Sequence, residues 1–197
     1  MIYCVNIERL ELFCVFDLKG SRTDITTLLT KLKIVPPETP NTAAIFGNVA
    51  LYWIGPQHWI LRAPQTEADA LTVEFQTSDI KEGNTSIVEV SDMLQFFSIR
   101  GADASEVIAV CCTLDTHSTT FPHNAVTYTE IFETKALLSR DAFADGEGFQ
   151  IAVDRSYADF IDDNLHRILG APLEVNHAGR AAEANNPEHD NQKHRDH

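Results

Sequence analysis

Cys111 and Cys112, followed closely by His117, are the first residues in this sequence able to support covalent chemistry, because a thiolate nucleophile needs a base beside it. Both cysteines close an apolar helical face, however, where a cysteine ordinarily packs as a small hydrophobe. Asp115 and His117 stand two apart and would share a face of a strand, but a metal centre requires three or four converging ligands. His177, His189, His194 and His197 lie in a polar, acidic tract that reads as solvated tail rather than as a metal site. Among the carboxylates, Asp141, Asp145 and Glu147 surround a glycine-bearing turn, and Glu89 and Asp92 flank the end of a short strand, where Asp92 can cap the segment after it. None of these forms a paired acid and base.

Phosphate cradles are missing too. Gly101 leads into Ala102 and Asp103, and the sequence contains neither GxGxxG nor GxxxxGK[ST], so neither route to a bound dinucleotide or ATP is open. Nucleic acid is a poor partner, since 29 acidic residues against 15 basic ones give a net charge of −14 that repels a phosphate backbone. The same charge disfavours an anionic membrane surface, and no apolar run approaches the ~20 residues of a membrane span. The first twelve residues carry Glu8, Arg9 and Glu11, unlike a secretory leader, so Cys4, Cys14, Cys111 and Cys112 are expected to be reduced in a cytoplasmic protein.

The elements that would position these residues alternate without strict βαβ order. With 197 residues and 44% hydrophobic composition the chain can bury a sizeable core. Strands are expected over Leu10 to Leu18, Thr42 to Phe46, Asn48 to Ile54, His58 to Leu61, Ser86 to Val90, Gln95 to Arg100, Ala125 to Phe132, Lys135 to Ser139 and Phe149 to Val153. Helices are expected from an Asp24 cap through Leu32, after Pro64, over Asp103 to Cys112, and over Ser156 to Leu169 with Phe160, Ile161, Leu165 and Ile168 inward. The fold class is therefore α+β, with mixed or antiparallel sheet and packed helices. The second half reruns the sheet-then-helix pattern of the first, which predicts one domain over 1–173 with pseudo-related lobes at about 1–84 and 85–173. Residues 174–197 are expected to be a polar, disordered tail.

Several segments, taken in order, resemble one family. LYWIGPQHWIL at Leu51 to Leu61 resembles the "LWLGPDEWLL" segment of the gamma subunit of heterotetrameric sarcosine oxidases. VEVSD at Val88 to Asp92, FSIRGADA at Phe97 to Ala104, CTLDTH at Cys112 to His117 with Phe121-Pro122, and FQIAVDRSY at Phe149 to Tyr157 resemble further segments of that subunit. The resemblance covers about Leu10 to Leu169 and extends to the aminomethyltransferase (glycine-cleavage T-protein) folate-binding superfamily. It implies an aminomethyltransferase folate-binding-domain-like fold and a subunit with no activity alone, supporting alpha and beta subunits that oxidise sarcosine and pass its one-carbon unit to tetrahydrofolate. FAD, FMN, NAD and tetrahydrofolate would belong to the partners, which include a delta subunit.

Folate-using members carry paired aspartates after a strand, and Ser139-Arg140-Asp141 stands there, with Arg140 in place of the first. A guanidinium stays protonated and cannot serve as a base. Ser91 and Asp141 are the residues the resemblance offers to folate; no catalytic or metal residue is expected. Trp53 and Trp59 are expected to fill the core, with exposure as partner anchors the alternative. Other functions the resemblance allows are a stand-alone folate-binding protein and the equivalent subunit of an N-methylamino-acid dehydrogenase.

Overall fold

The computed structural model describes residues 3–77, 85–143 and 146–170, apart from the side chains at 142, 143, 146 and 147. Among the described residues, ten strands and four helices occur in the order β1 Asn6–Arg9, β2 Phe13–Lys19, α1 Arg22–Lys31, β3 Ala43–Phe46, β4 Val49–Gly55, β5 His58–Pro64, α2 Ala68–Gln76, β6 Ser86–Glu89, β7 Leu94–Arg100, α3 Ala104–Cys111, β8 Val126–Ile131, β9 Thr134–Phe143, β10 Gly146–Asp154 and α4 Ala158–Ile168. The expected α+β class is observed, with every pairing antiparallel. Short 3₁₀ turns, Gln65–Glu67 and Arg155–Tyr157, lead into α2 and α4.

Two five-stranded sheets stack face to face. Sheet I has the order β3-β4-β5-β2-β6, and sheet II the order β1-β7-β10-β9-β8. Val15, Ala50, Tyr52 and Ile60 of sheet I meet Phe96, Val126, Leu137 and Ala152 of sheet II in one buried cluster. On the far face of sheet I, Ile25, Leu28 and Leu29 of α1 and Leu71 and Phe75 of α2 pack on Cys14, Phe16, Leu18, Trp59 and Leu61. On the far face of sheet II, α3 and α4 pack through Val107, Ile108, Ile161 and Leu165. The result is four layers, helix-sheet-sheet-helix. Strands buried on both faces lose the alternation of apolar and polar residues, which is why segments such as LYW read as continuous apolar runs.

The repeat is topological. β2-α1-β3-β4-β5-α2 and β7-α3-β8-β9-β10-α4 have the same order along the chain and across the sheets. Phe13 pairs with Pro64 where Leu94 pairs with Asp154, and Val15 with Arg62 where Phe96 pairs with Ala152. The halves meet reciprocally: Ala43 N–H donates to Asn124 O at 2.7 Å, and Val126 N–H donates to Asn41 O at 2.9 Å. Asn41 and Asn124 both take positive φ, 58° and 62°, a conformation asparagine tolerates better than most residues. The remaining strands are exchanged, β1 pairing with β7 in sheet II and β6 with β2 in sheet I.

Three local expectations are corrected. Ser21, not Asp24, caps α1: its Oγ accepts from Asp24 N–H at 3.1 Å and donates to the Asp24 carboxylate at 2.6 Å. Asn6–Arg9, where no element was expected, is the edge strand β1. Phe160, expected to face inward, is 49% exposed, because α4 buries Ala158, Ile161 and Leu165 and the phenylalanine lies off that stripe.

Gly101 is required where β7 ends. Its φ is +131°, and a Cβ there would lie 2.3 Å from Cys4 O. Gly101→Ala is therefore expected to cost at least about 2 kcal/mol, because backbone strain and a backbone clash add. A urea unfolding midpoint within error of wild type would contradict this.

Candidate functional site

Polar side chains gather at one end of the layer between the sheets. β5 carries Arg62 on its inner face, reaching toward sheet II. Its guanidinium carbon stands 4.4 Å from the centre of the Phe13 ring, 5.6 Å from Phe96 and 6.0 Å from Tyr52. Arg62 Nη1–H donates to Gln150 Oε1 of β10. Both residues are buried, so this bond crosses the sheet interface in a low-dielectric setting where a charged hydrogen bond is strong.

β9 supplies Ser139 and Asp141 to the same layer, both buried. Burial pushes the Asp141 carboxyl above the ordinary aspartate range; Arg62, a hydrogen bond with Ser139 and Arg100 oppose that rise. Its Oδ1 has no hydrogen-bond partner among the described residues. Burial also drives the Tyr52 phenol well above its usual value, opposed by Arg62 and reinforced by Asp141. A desolvated carboxylate, a neutral phenol and a guanidinium thus converge, an arrangement suited to orienting a polar ligand edge or accepting a proton from it.

Arg140, one residue earlier in β9, faces the helical layer instead, because successive strand side chains alternate. It is 2% exposed, its Nη1 donates to Thr116 O and Phe121 O, both at 3.1 Å, and its guanidinium lies 5.4 Å from the Phe149 ring. Arg140 is thus a strut for the segment between α3 and β8. Asp141 is accordingly a strand residue of the sheet interface, not part of a turn as expected.

Ser91, the other folate candidate, lies after β6. Its Oγ accepts from Val15 N–H at 3.0 Å and donates to Glu89 Oε1 at 2.8 Å, anchoring β2. It shares no partner with Asp141. Cys111 and Cys112 are buried, and burial pushes the Cys111 thiol up to about 12, which suits packing rather than nucleophilic attack. Asp115 accepts from His117 N–H and Thr120 O–H, both at 3.0 Å, closing a turn, and those bonds hold its carboxyl below the ordinary range. No group of three or more potential metal ligands occurs among the described residues. Trp59 is in the core as expected; Trp53 stacks on it at 5.9 Å and carries the Arg22 guanidinium 4.7 Å from its own ring. Asp145, the Glu147 side chain, the four late histidines and the polar tail lie outside the described residues.

Arg62, Tyr52 and Gln150 were invisible to sequence reasoning. An arginine inside WILRAP was the one available signal, since a charge within an apolar strand must find a buried partner.

The family described as the GCVT N-terminal domain matches residues 39–185. No curated protein matches by sequence. In structure, the chain is similar to a chain of the heterotetrameric sarcosine oxidase from Corynebacterium sp. U-96, with a TM-score of 0.68 and 17% identity over 86% of this chain and 87% of that one. It is also similar to the glycine cleavage system aminomethyltransferase T of Bartonella henselae, with a TM-score of 0.59 and 11% identity over 83% of this chain. The likeness spans 46% of that aminomethyltransferase. Both likenesses establish the aminomethyltransferase-like fold. Among the described residues, no helix is long and apolar enough to cross a membrane.

Proposed function

Because the chain belongs to the family of the GCVT N-terminal domain, we propose that it is a non-catalytic, gamma-type subunit of a heterotetrameric sarcosine oxidase. It supports alpha and beta subunits that carry FAD, FMN and NAD, beside a delta subunit, in the cytoplasm. The assembly demethylates sarcosine oxidatively and transfers the one-carbon unit to tetrahydrofolate held by a partner. The observation that carries this reading is Arg140, a permanently charged strut bound to Thr116 O and Phe121 O at the place where the sequence resemblance implies a carboxylate in folate-using members. The likeness over nearly the full length of a chain from a sarcosine oxidase supports it.

The test is affinity capture of the tagged chain from its native cells, with an absorbance scan and mass spectrometry. Stoichiometric flavin-bearing large subunits that oxidise sarcosine are expected. A colourless chain recovered alone sinks the reading, and a complex that oxidises a different N-methyl amino acid replaces sarcosine as substrate.

One observation favours a second reading, a folate-binding protein acting on its own: Asp141 Oδ1 is buried without a hydrogen-bond partner among the described residues. On that reading tetrahydrofolate at about 100 times its Kd stabilises the chain by ~2.7 kcal/mol, and Asp141→Asn abolishes the gain. An unchanged melting temperature under saturating tetrahydrofolate removes it.

A further inference from the structure

The structural repeat gives the two halves equivalent positions, and at one of them they differ. Arg62, opposite Val15 in sheet I, corresponds to Ala152, opposite Phe96 in sheet II. In the first half the Arg62 guanidinium fills the end of the inter-sheet layer by lying over Phe13. In the second half the alanine reaches no further than Cβ, and a groove of about 420 Å³ opens there. Leu94, the counterpart of Phe13, lines it with Ala152, Tyr128 and Tyr157, and Glu133 and Asp154 supply carboxylates.

Tyr157 is 50% exposed and Tyr128 37%. Asp154 accepts from Ser156 N–H at 2.9 Å and Ser156 O–H at 2.6 Å, which hold its carboxyl below the ordinary aspartate range. Lys135 lies 4.6 Å from the centre of the Tyr128 ring and is the one cation among the described residues that line the groove, so two carboxylates face one ammonium there.

We propose that this groove is a docking site for an arginine side chain presented by a partner protein, which would enter beside Ala152, where the other half carries Arg62, and lie over Tyr157 beside Asp154 and Glu133. The chemistry is that of a guanidinium stacked on an aromatic face beside carboxylates, a frequent anchor of protein interfaces. Resting on the subunit reading, it assigns the arginine to a large subunit of the complex.

The test is a tyrosine-ring NMR titration of the full chain with the capped peptide Ac-Ala-Arg-Ala-NH2. The Tyr128 and Tyr157 resonances are expected to shift saturably. About tenfold weaker binding is expected for the lysine peptide and for the Tyr157→Ala and Glu133→Lys variants, while Tyr157→Phe retains binding. No saturable shift, or an equal response to the lysine peptide, overturns the proposal. An equal response to free arginine overturns it in favour of a small-molecule ligand. In the native complex, equal recovery of flavin-bearing subunits by wild type and Tyr157→Ala overturns this docking site and leaves the subunit reading standing. A chain that binds the arginine peptide but recruits no flavoprotein overturns the subunit reading instead.

Discussion

Arg140→Ala is expected to lower the unfolding free energy by about 3–4 kcal/mol. Its guanidinium donates to two backbone carbonyls, Thr116 O and Phe121 O, and hydrogen bonds from a charged donor contribute roughly 1.5–3 kcal/mol each. Truncation also leaves a cavity beside Phe149 that a neighbour can only partly fill. Arg140→Lys should recover part of the loss, since one ammonium can reach one of the carbonyls but cannot reproduce the planar fork. Urea unfolding of the three proteins decides the matter, and a loss below about 1 kcal/mol for Arg140→Ala would show that the segment between α3 and β8 is held by something else.

Arg62→Met is expected to destabilise the chain in a strongly pH-dependent way. The Asp141 carboxyl is held above its ordinary value in the folded chain, so the native state keeps a proton that the unfolded state has already released. The stability owed to this residue is therefore fully present below the ordinary aspartate value and declines as pH rises through the native one. Arg62 is the largest force opposing the rise. Without it the native value moves higher and the decline steepens, so the loss against wild type, set near pH 4 by the missing hydrogen bond to Gln150 and contact with Phe13, grows to about 3–5 kcal/mol at neutral pH, where a buried carboxylate has lost its cation. Asp141→Asn removes the titration and should be flatter than wild type over the same range. Unfolding midpoints at pH 4 and pH 7 check both variants; parallel profiles for Arg62→Met and wild type would refute the coupling.

The sequence disclosed the elements better than their partners. Apolar runs such as LYWIG and QFFSI announce strands covered on both faces, and Pro36-Pro37 announces the end of α1, because these signals act locally. Asn6–Arg9 carried no such sign: an edge strand with one isoleucine among three polar or charged residues draws its order from pairing with β7. Phe160 misled because it neighbours the helical stripe of Ile161 and Leu165 closely enough to be counted within it. At the candidate site, the local pattern gave Asp141 only a place at a turn, and its link to a ligand came through resemblance to the paired aspartates of folate-using proteins. Its opposing cation, Arg62, is 79 positions earlier in another sheet, and a contact of that kind depends on how the sheets stack, which no local pattern encodes. Arg140 and Asp141, adjacent in sequence, serve different layers for the same reason that any two neighbours in a strand do.

The exchange of β1 and β6 has a consequence for synthesis. As the nascent chain emerges, β2 is made long before β6, and β1 long before β7, so one edge of sheet I stays unpaired and β1 has nowhere to dock until the second half leaves the ribosome. An unpaired strand edge is a template for pairing with other chains. Premature termination before β6 therefore leaves the β2 edge of sheet I open, and termination before β7 leaves β1 without its partner strand, so either yields a sticky fragment rather than a smaller folded protein.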